Sequence, residues 1–93
     1  METVIVTRHP ALVQLLAELG LAPEGTPVVS QVAPADVAGK HVIGVLPMHL
    51  AALAAQVTEV PLALTPELRG KELDLETLKK VAGAPVTYKV TVV

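Results

Sequence analysis

The chain has 93 residues, a formal net charge of −2 and no cysteine, so we expect one intracellular domain without disulfides or thiolate metal sites. This charge excludes the broad basic face that long duplex nucleic acid requires, although a small anionic ligand needs only a few donors. The N-terminus lacks a signal-peptide pattern, and no apolar run reaches the roughly 20 residues that span a bilayer, so we expect a cytoplasmic protein without a membrane partner.

The first part of the chain alternates apolar runs with a helical pattern, which is typical of α/β proteins. A strand is predicted over residues 3–7, followed by a helix over residues 10–19. Pro10 suits the first helical position, and Gly20 suits the helix stop. A short apolar run over residues 28–32 predicts a weak second strand near an edge of the sheet.

The middle of the chain predicts a buried strand over residues 41–46 and then a helix that Pro47 opens and that ends near Val57. This helix carries no charged residue. In a domain of this size, it either lies centrally across the sheet or meets its own copy in a homodimer, and we favour the homodimer.

The last third predicts a fourth strand over residues 60–64 and one helical turn with a loop over residues 65–73. A third helix follows Asp74, which is a good N-cap. Strict alternation over residues 86–93 predicts a half-exposed edge strand. No linker or repeat interrupts the chain, so residues 1–93 form a single α/β domain with a mostly parallel sheet flanked by helices.

Three turns should open on one edge of this sheet. In parallel sheets, ligands bind beyond the carboxyl ends of the strands, where helix N-termini offer free N–H groups. These turns hold both arginines and two of the three histidines, and their candidate residues are Thr7, Arg8, His9 and Pro10, then Gly44, Leu46, Pro47 and His49, then Arg69, Gly70 and Lys71. Because the arginine fork suits phosphate oxygens, the turns together predict a phosphate-binding edge.

Plainer interpretations of these residues stay open. Arg8 could pair with Glu2 or Glu67 at the surface, and His9 could serve only as a helix-entry residue. The third turn could be a solvated loop. His41 starts its strand, away from the proposed edge, so we expect it to have a structural role and to face solvent.

Several chemistries do not fit the residues present. The chain has no Ser-His-acid arrangement, no glycine-rich nucleotide fingerprint and no clustered carboxylates, which argues against a two-metal nuclease. We expect no cofactor and no metal. Metal-free phosphoryl chemistry on RNA, with arginine and an imidazole that titrates near neutrality, remains compatible with the sequence.

Three segments of the chain resemble a known family. "TRHPAL", "VIGVLPMHLAA" and "ELRGKEL" are similar, in the same order and at compatible spacing, to segments of short CRISPR accessory proteins in the Csx group of type III systems. The resemblance runs over nearly the whole chain. Two positions depart from the family pattern, because Thr7 stands for a usual serine and His49 for a usual asparagine.

The resemblance implies a Rossmann-like (CARF-like) homodimeric ring nuclease, which binds cyclic tetra-adenylate, opens it and so switches off the antiviral response. RNA supplies its own nucleophile in the 2′-hydroxyl, which leaves a 2′,3′-cyclic phosphate, so the protein needs mainly to enforce geometry and to stabilise charge. We assign charge stabilisation to Arg8 and Arg69 and proton transfer to His9. The remaining residues of the three turns would bind the ring.

Two other functions share parts of this pattern. A sponge or sensor would bind the cyclic messenger without cutting it. A protein-interaction domain would use the apolar second helix to dock a partner, and would tolerate Arg8→Ala.

Overall fold

The computed structural model describes residues 1–68 and 73–93, which form a small α/β domain around one five-stranded sheet. In chain order, the elements are β1 (Thr3–Val6), α1 (Pro10–Glu18), β2 (Val28–Val29), α2 (Pro34–Val37), β3 (His41–Gly44), α3 (Met48–Ala51), β4 (Gln56–Glu59), α4 (Leu75–Val81) and β5 (Val86–Tyr88). None of the helices in the described ranges is long and apolar enough to cross a membrane.

The strand order is β2-β1-β3-β4-β5, in which β2, β1, β3 and β4 are parallel and β5 is antiparallel to β4. This confirms the prediction of a mostly parallel sheet, with the weak second strand and the last strand at opposite edges. Both are shorter than predicted, since β2 has two residues and β5 has three.

Helices cover both faces of the sheet because successive side chains of a strand point to opposite faces. On one face, Val4 and Val42 pack with α2 and α3 around Val37 and Leu50. On the other face, Ile5 and Ile43 pack with Leu16 of α1. The C-terminal helix α4 packs against α1 and is tied to it by an ion pair of 3.1 Å between Lys79 Nζ and Glu18 Oε2.

A helix does begin directly after Pro47, as predicted, but its predicted end near Val57 is wrong, and so is the position of the next strand, predicted over residues 60–64. Helix α3 ends at Ala51, and β4 begins only five residues later at Gln56. The alanine-rich run has a high helix propensity, but the β-branched Val57 and Thr58 pair with β3 and are buried there. Tertiary pairing therefore overrides the local preference for helix.

Gly44 is the last residue of β3, where it pairs with Val6 of β1. Its φ is +144°, and a Cβ at this position would overlap the carbonyl oxygen of Val6. Only glycine fits both the backbone conformation and the close approach. A side chain at this position would therefore collide with the backbone of β1.

His41 belongs to a line of polar side chains across the other end of the sheet. Its Nε2 lies 2.7 Å from the Thr58 hydroxyl oxygen, which lies 2.8 Å from the Thr87 hydroxyl oxygen. Thr58 is buried, and these bonds satisfy its hydroxyl while joining β3, β4 and β5. The structural role predicted for His41 agrees with this arrangement, but the side chain is half-buried and does not simply face solvent.

Candidate functional site

The candidate site lies at the edge of the sheet where the parallel strands β1 and β3 end. Because both strands run in the same direction, residues 7–10 and residues 45–47 leave the sheet on the same side. A cleft of about 660 Å³ opens between them. Its lining includes four residues predicted for the first two turns in addition to Arg8, namely Thr7, His9, Gly44 and Pro47.

The turn after β1 is held by hydrogen bonds between residues of the turn itself. The His9 N–H donates to the Thr7 hydroxyl oxygen at 3.1 Å, and the Leu12 N–H donates to the His9 carbonyl at 3.0 Å. Pro10 then occupies the first position of α1 and has no N–H to satisfy. His9 is the N-cap residue, but its side chain does not cap the helix and stays exposed, with the ring at the edge of the cleft.

Arg8 is exposed on the rim of the cleft. Its Nε donates to the Ser30 carbonyl at 3.4 Å, which leaves the two terminal nitrogens of the guanidinium for other acceptors. Within the described ranges, Arg8 forms no ion pair, and Glu2 pairs with Lys40 instead, at 3.7 Å. The alternative in which Arg8 pairs with Glu2 or Glu67 is therefore not what the structure shows.

The interior of the cleft is apolar. Leu16 and Ile43, both fully buried, form its floor, and Leu12, Leu50 and Leu62 line its walls. Polar groups are confined to the rim, where an anion and its counter-charge can stay hydrated. The cleft thus combines an aliphatic interior with one cation, one imidazole and one hydroxyl at its mouth.

Two polar residues of the rim were not predicted, Ser30 and Gln31, which follow β2. Their position follows from topology, since β2 is parallel to β1 and therefore ends at the same edge. The only sequence signal near them was the short run over residues 28–32, within which both lie. That run predicts a weak strand at an edge of the sheet and does not point to a binding residue.

The structure separates other predicted residues from the cleft. Pro10 lines a neighbouring depression beside Arg8. Leu46 packs against the core on the α3 side and lines a separate groove of about 310 Å³ that also contains Tyr88. His49 is exposed in the first turn of α3 and lines neither the cleft nor that groove.

The third predicted turn holds Arg69, Gly70 and Lys71, which lie outside the described residues. Just before it, the Leu68 N–H donates to the Thr65 carbonyl at 3.0 Å, as in one helical turn. A hydrogen bond from the Thr65 side chain lowers the pKa of the Glu67 carboxyl below its usual value of 4.5. Glu67 therefore adds a negative charge next to the predicted basic turn.

Across residues 1–68 and 73–93, no three histidine, aspartate or glutamate side chains come together as they would around a metal ion. The described part of the edge offers Arg8 to attract phosphate oxygens, His9 to exchange a proton and Thr7 to fix the turn between strand and helix. Such a set is suited to binding an anionic ester and moving a proton beside it.

Comparison with known proteins adds one finding. A protein-family model described as "Putative CRISPR-associated protein (Cas_VVA1548)" matches residues 4–91. No curated protein and no solved structure matches the chain. The matched range contains the strands of the sheet almost completely and all three predicted turns.

Proposed function

This chain belongs to the Cas_VVA1548 family of CRISPR-associated proteins, and from that premise we propose that it is a metal-independent ring nuclease of type III CRISPR immunity. Its substrate is cyclic tetra-adenylate, and cleavage of this messenger switches off the antiviral response. The observation that carries the proposal is the position of Thr7, Arg8 and His9 at the mouth of a cleft, on the ligand-binding edge of a parallel sheet.

Binding of the ring is supported by charge at this edge. Arg8 has terminal nitrogens free of protein acceptors within the described part of the chain, and its planar fork matches phosphate oxygens. Arg69 and Lys71 supply further cations in this proposal. The scattered cations suit a small ligand with four phosphates better than a long duplex, which agrees with the net charge of −2.

The other predicted residues contact the ring around this centre. Backbone groups near Pro10 and Pro47 hold it, and Gly44, which lines the cleft, and Gly70, which lies outside the described residues, belong to the same proposed contacts. Thr7, Leu46, His49 and Lys71 complete the contacts. Because Leu46 and His49 lie away from the cleft itself, we assign them to parts of the ring outside it.

The proposed reaction uses the nucleophile that RNA carries. The 2′-hydroxyl of one nucleotide attacks the adjacent phosphorus in line with the departing 5′-oxygen, so a 2′-O–P bond forms and the P–O5′ bond breaks. His9 accepts the hydroxyl proton, the departing oxygen takes a proton from water, and the imidazolium returns its proton to solvent. Arg8 and Arg69 stabilise the charge on the pentavalent phosphorus.

We also propose a Rossmann-like (CARF-like) fold and a homodimer. The parallel order of β2, β1, β3 and β4 with helices on both faces supports the fold. The apolar side chains Val45, Met48 and Tyr88 support the dimer, since 70%, 76% and 49% of their surfaces are exposed. A two-fold dimer could contact opposite halves of a symmetric tetranucleotide with identical residues.

The test is incubation of the purified protein with labelled cyclic tetra-adenylate in EDTA. The proposal predicts linear products that end in a 2′,3′-cyclic phosphate. Binding with an intact ring would mean a sponge or sensor. No binding at all would overturn both and leave a protein-interaction domain as the explanation of the exposed apolar residues.

A further inference from the structure

The proposed chemistry uses the rim of the cleft and leaves its interior without a function. Leu12, Leu16 and Ile43 present only aliphatic carbon there. Transfer of a phosphate into this space would be unfavourable, because the phosphate would lose its hydration without gaining a hydrogen-bond donor. The interior instead suits a flat, weakly polar group whose two faces need no hydrogen bonds.

The size of the cleft fits one nucleoside. Its volume of about 660 Å³ falls within the usual range for small-molecule sites, roughly 300–1,000 Å³, which are mostly apolar with a few polar groups that orient the ligand. Tyr88, the single aromatic residue of the chain, is not among the lining residues, so a base in this cleft would lie against aliphatic side chains.

The loop after β2 places an amide beside the phosphate-binding cation. The hydrogen bond between Arg8 Nε and the Ser30 carbonyl joins the two sides of the rim, and Gln31 is the next residue along the chain. A glutamine amide has both a donor and an acceptor. It can pair in two places with adenine, where its oxygen accepts from the exocyclic N6 amine and its nitrogen donates to N7.

We infer that the cleft is an adenine slot, in which the aliphatic interior covers the base and the exposed Gln31 amide selects adenine over guanine at the rim. Guanine presents a carbonyl where adenine presents an amine, so the same amide loses one of its two bonds with guanine. This inference rests on the proposed function for the adenylate nature of the ligand. It assigns specificity to a residue outside the three predicted turns.

The experiment is an NMR titration of the full chain with adenosine 5′-monophosphate and, separately, guanosine 5′-monophosphate. We expect shifts at residues of the cleft and a preference for the adenine nucleotide of about tenfold. Gln31→Ala should abolish most of that preference, because it removes both hydrogen bonds to adenine. Gln14→Ala is the matched control, because Gln14 is an exposed glutamine of α1 that does not line the cleft.

Equal affinity of the parent protein for the two nucleotides would overturn the inference, as would absence of binding, shifts outside the cleft or an unchanged preference in Gln31→Ala. The inference and the proposed function fail separately. A parent protein that binds the adenine nucleotide in the cleft but leaves cyclic tetra-adenylate intact would refute only the nuclease. Cleavage of the ring without an adenine preference in the titration would refute only the slot.

Discussion

At the scale of single residues, three consecutive side chains of the first turn are held in different ways. The Thr7 hydroxyl receives the His9 N–H, Arg8 reaches across to the carbonyl of Ser30, and the His9 ring is left exposed. The turn is thus fixed by the Thr7 hydroxyl and by the hydrogen bond from Arg8 to Ser30, while the His9 ring stays exposed beside the cleft. Preorganisation of this kind is what a reaction limited by geometry and charge stabilisation requires.

The two exposed histidines near this edge should behave differently on substitution. His9→Ala should lower kcat for ring opening about 100-fold, because it removes the proposed proton acceptor. His49→Ala should leave kcat near the parent value and change KM at most, since His49 lies outside the lining of the cleft. Steady-state kinetics on cyclic tetra-adenylate measure both. An unchanged kcat in the His9 variant would refute its role.

The capping of the last helix, α4, can be tested by substitution of Asp74. Its side chain accepts the Thr77 N–H at 2.8 Å, and hydrogen bonding from Thr77 lowers the pKa of this carboxyl below its usual value of 3.8. A lowered pKa means that the stabilising contribution is present above the usual pKa and lost as the pH falls through the lowered one.

Asp74→Ala should therefore lower the thermal unfolding midpoint at neutral pH, and its difference from the parent should shrink below about pH 4. Glu76→Ala is the control, since Glu76 is an exposed acid in the first turn of the same helix that does not cap it. A difference that grows as the pH falls would contradict the capping role.

At the scale of elements, Gly44 should tolerate no side chain. Gly44→Ala should destabilise the protein by more than about 2 kcal/mol, because the methyl group combines a strained φ with overlap on the backbone of β1. Gly25→Ala is the matched control. Its φ is +91°, but nothing lies within 4 Å of an added Cβ, so it should cost about 1 kcal/mol. Chemical denaturation measures both, and equal losses would contradict the close approach of β1 and β3.

The elements that could be predicted are those in which local signals and tertiary packing agree. Helix α1 has proline at its first position and Gly20 after its end, and α4 has an aspartate cap, so both were predicted closely. The boundary between α3 and β4 could not be found in this way. Alanine and leucine around residues 50–55 favour helix, whereas the sheet recruits Val57 and Thr58 through pairing partners that are distant in sequence.

Only part of the candidate site could be predicted from the sequence. The rule that ligands bind at the carboxyl ends of parallel strands placed the turns after β1 and β3 together, and the cleft contains residues of both. Ser30 and Gln31 were not predicted as site residues, because β2 has only two residues and so gives almost no strand pattern in the sequence. His49 was placed by its helix position alone, and the side chain does not reach the cleft.

At the scale of the whole molecule, the proposed dimer can be tested at Met48. In solution, light scattering should give twice the mass of one chain. Met48→Glu should shift the protein toward monomer. Residue 48 is exposed in the single chain, so the glutamate stays hydrated there, whereas in the dimer interface its charge would lose hydration. Val92→Glu is the control, as Val92 is also exposed but lies in the C-terminal segment. A monomeric parent protein would refute the dimer.

The proposed reaction depends most directly on the guanidinium group of Arg8. Arg8 lines the cleft at the carboxyl ends of the parallel strands, and the proposed ring opening requires it to stabilise negative charge as the phosphate is attacked. Lys80 offers a matched loss of one positive charge, since it is exposed at the end of α4 and does not line the cleft.

The most direct measurement is the single-turnover rate of cyclic tetra-adenylate cleavage in EDTA for the parent protein, Arg8→Ala and Lys80→Ala. We expect the parent and the Lys80 variant to open the ring at similar rates and the Arg8 variant to be about 100-fold slower. An intact ring with the parent protein, or an Arg8 variant that cuts as fast as the parent, would contradict the account.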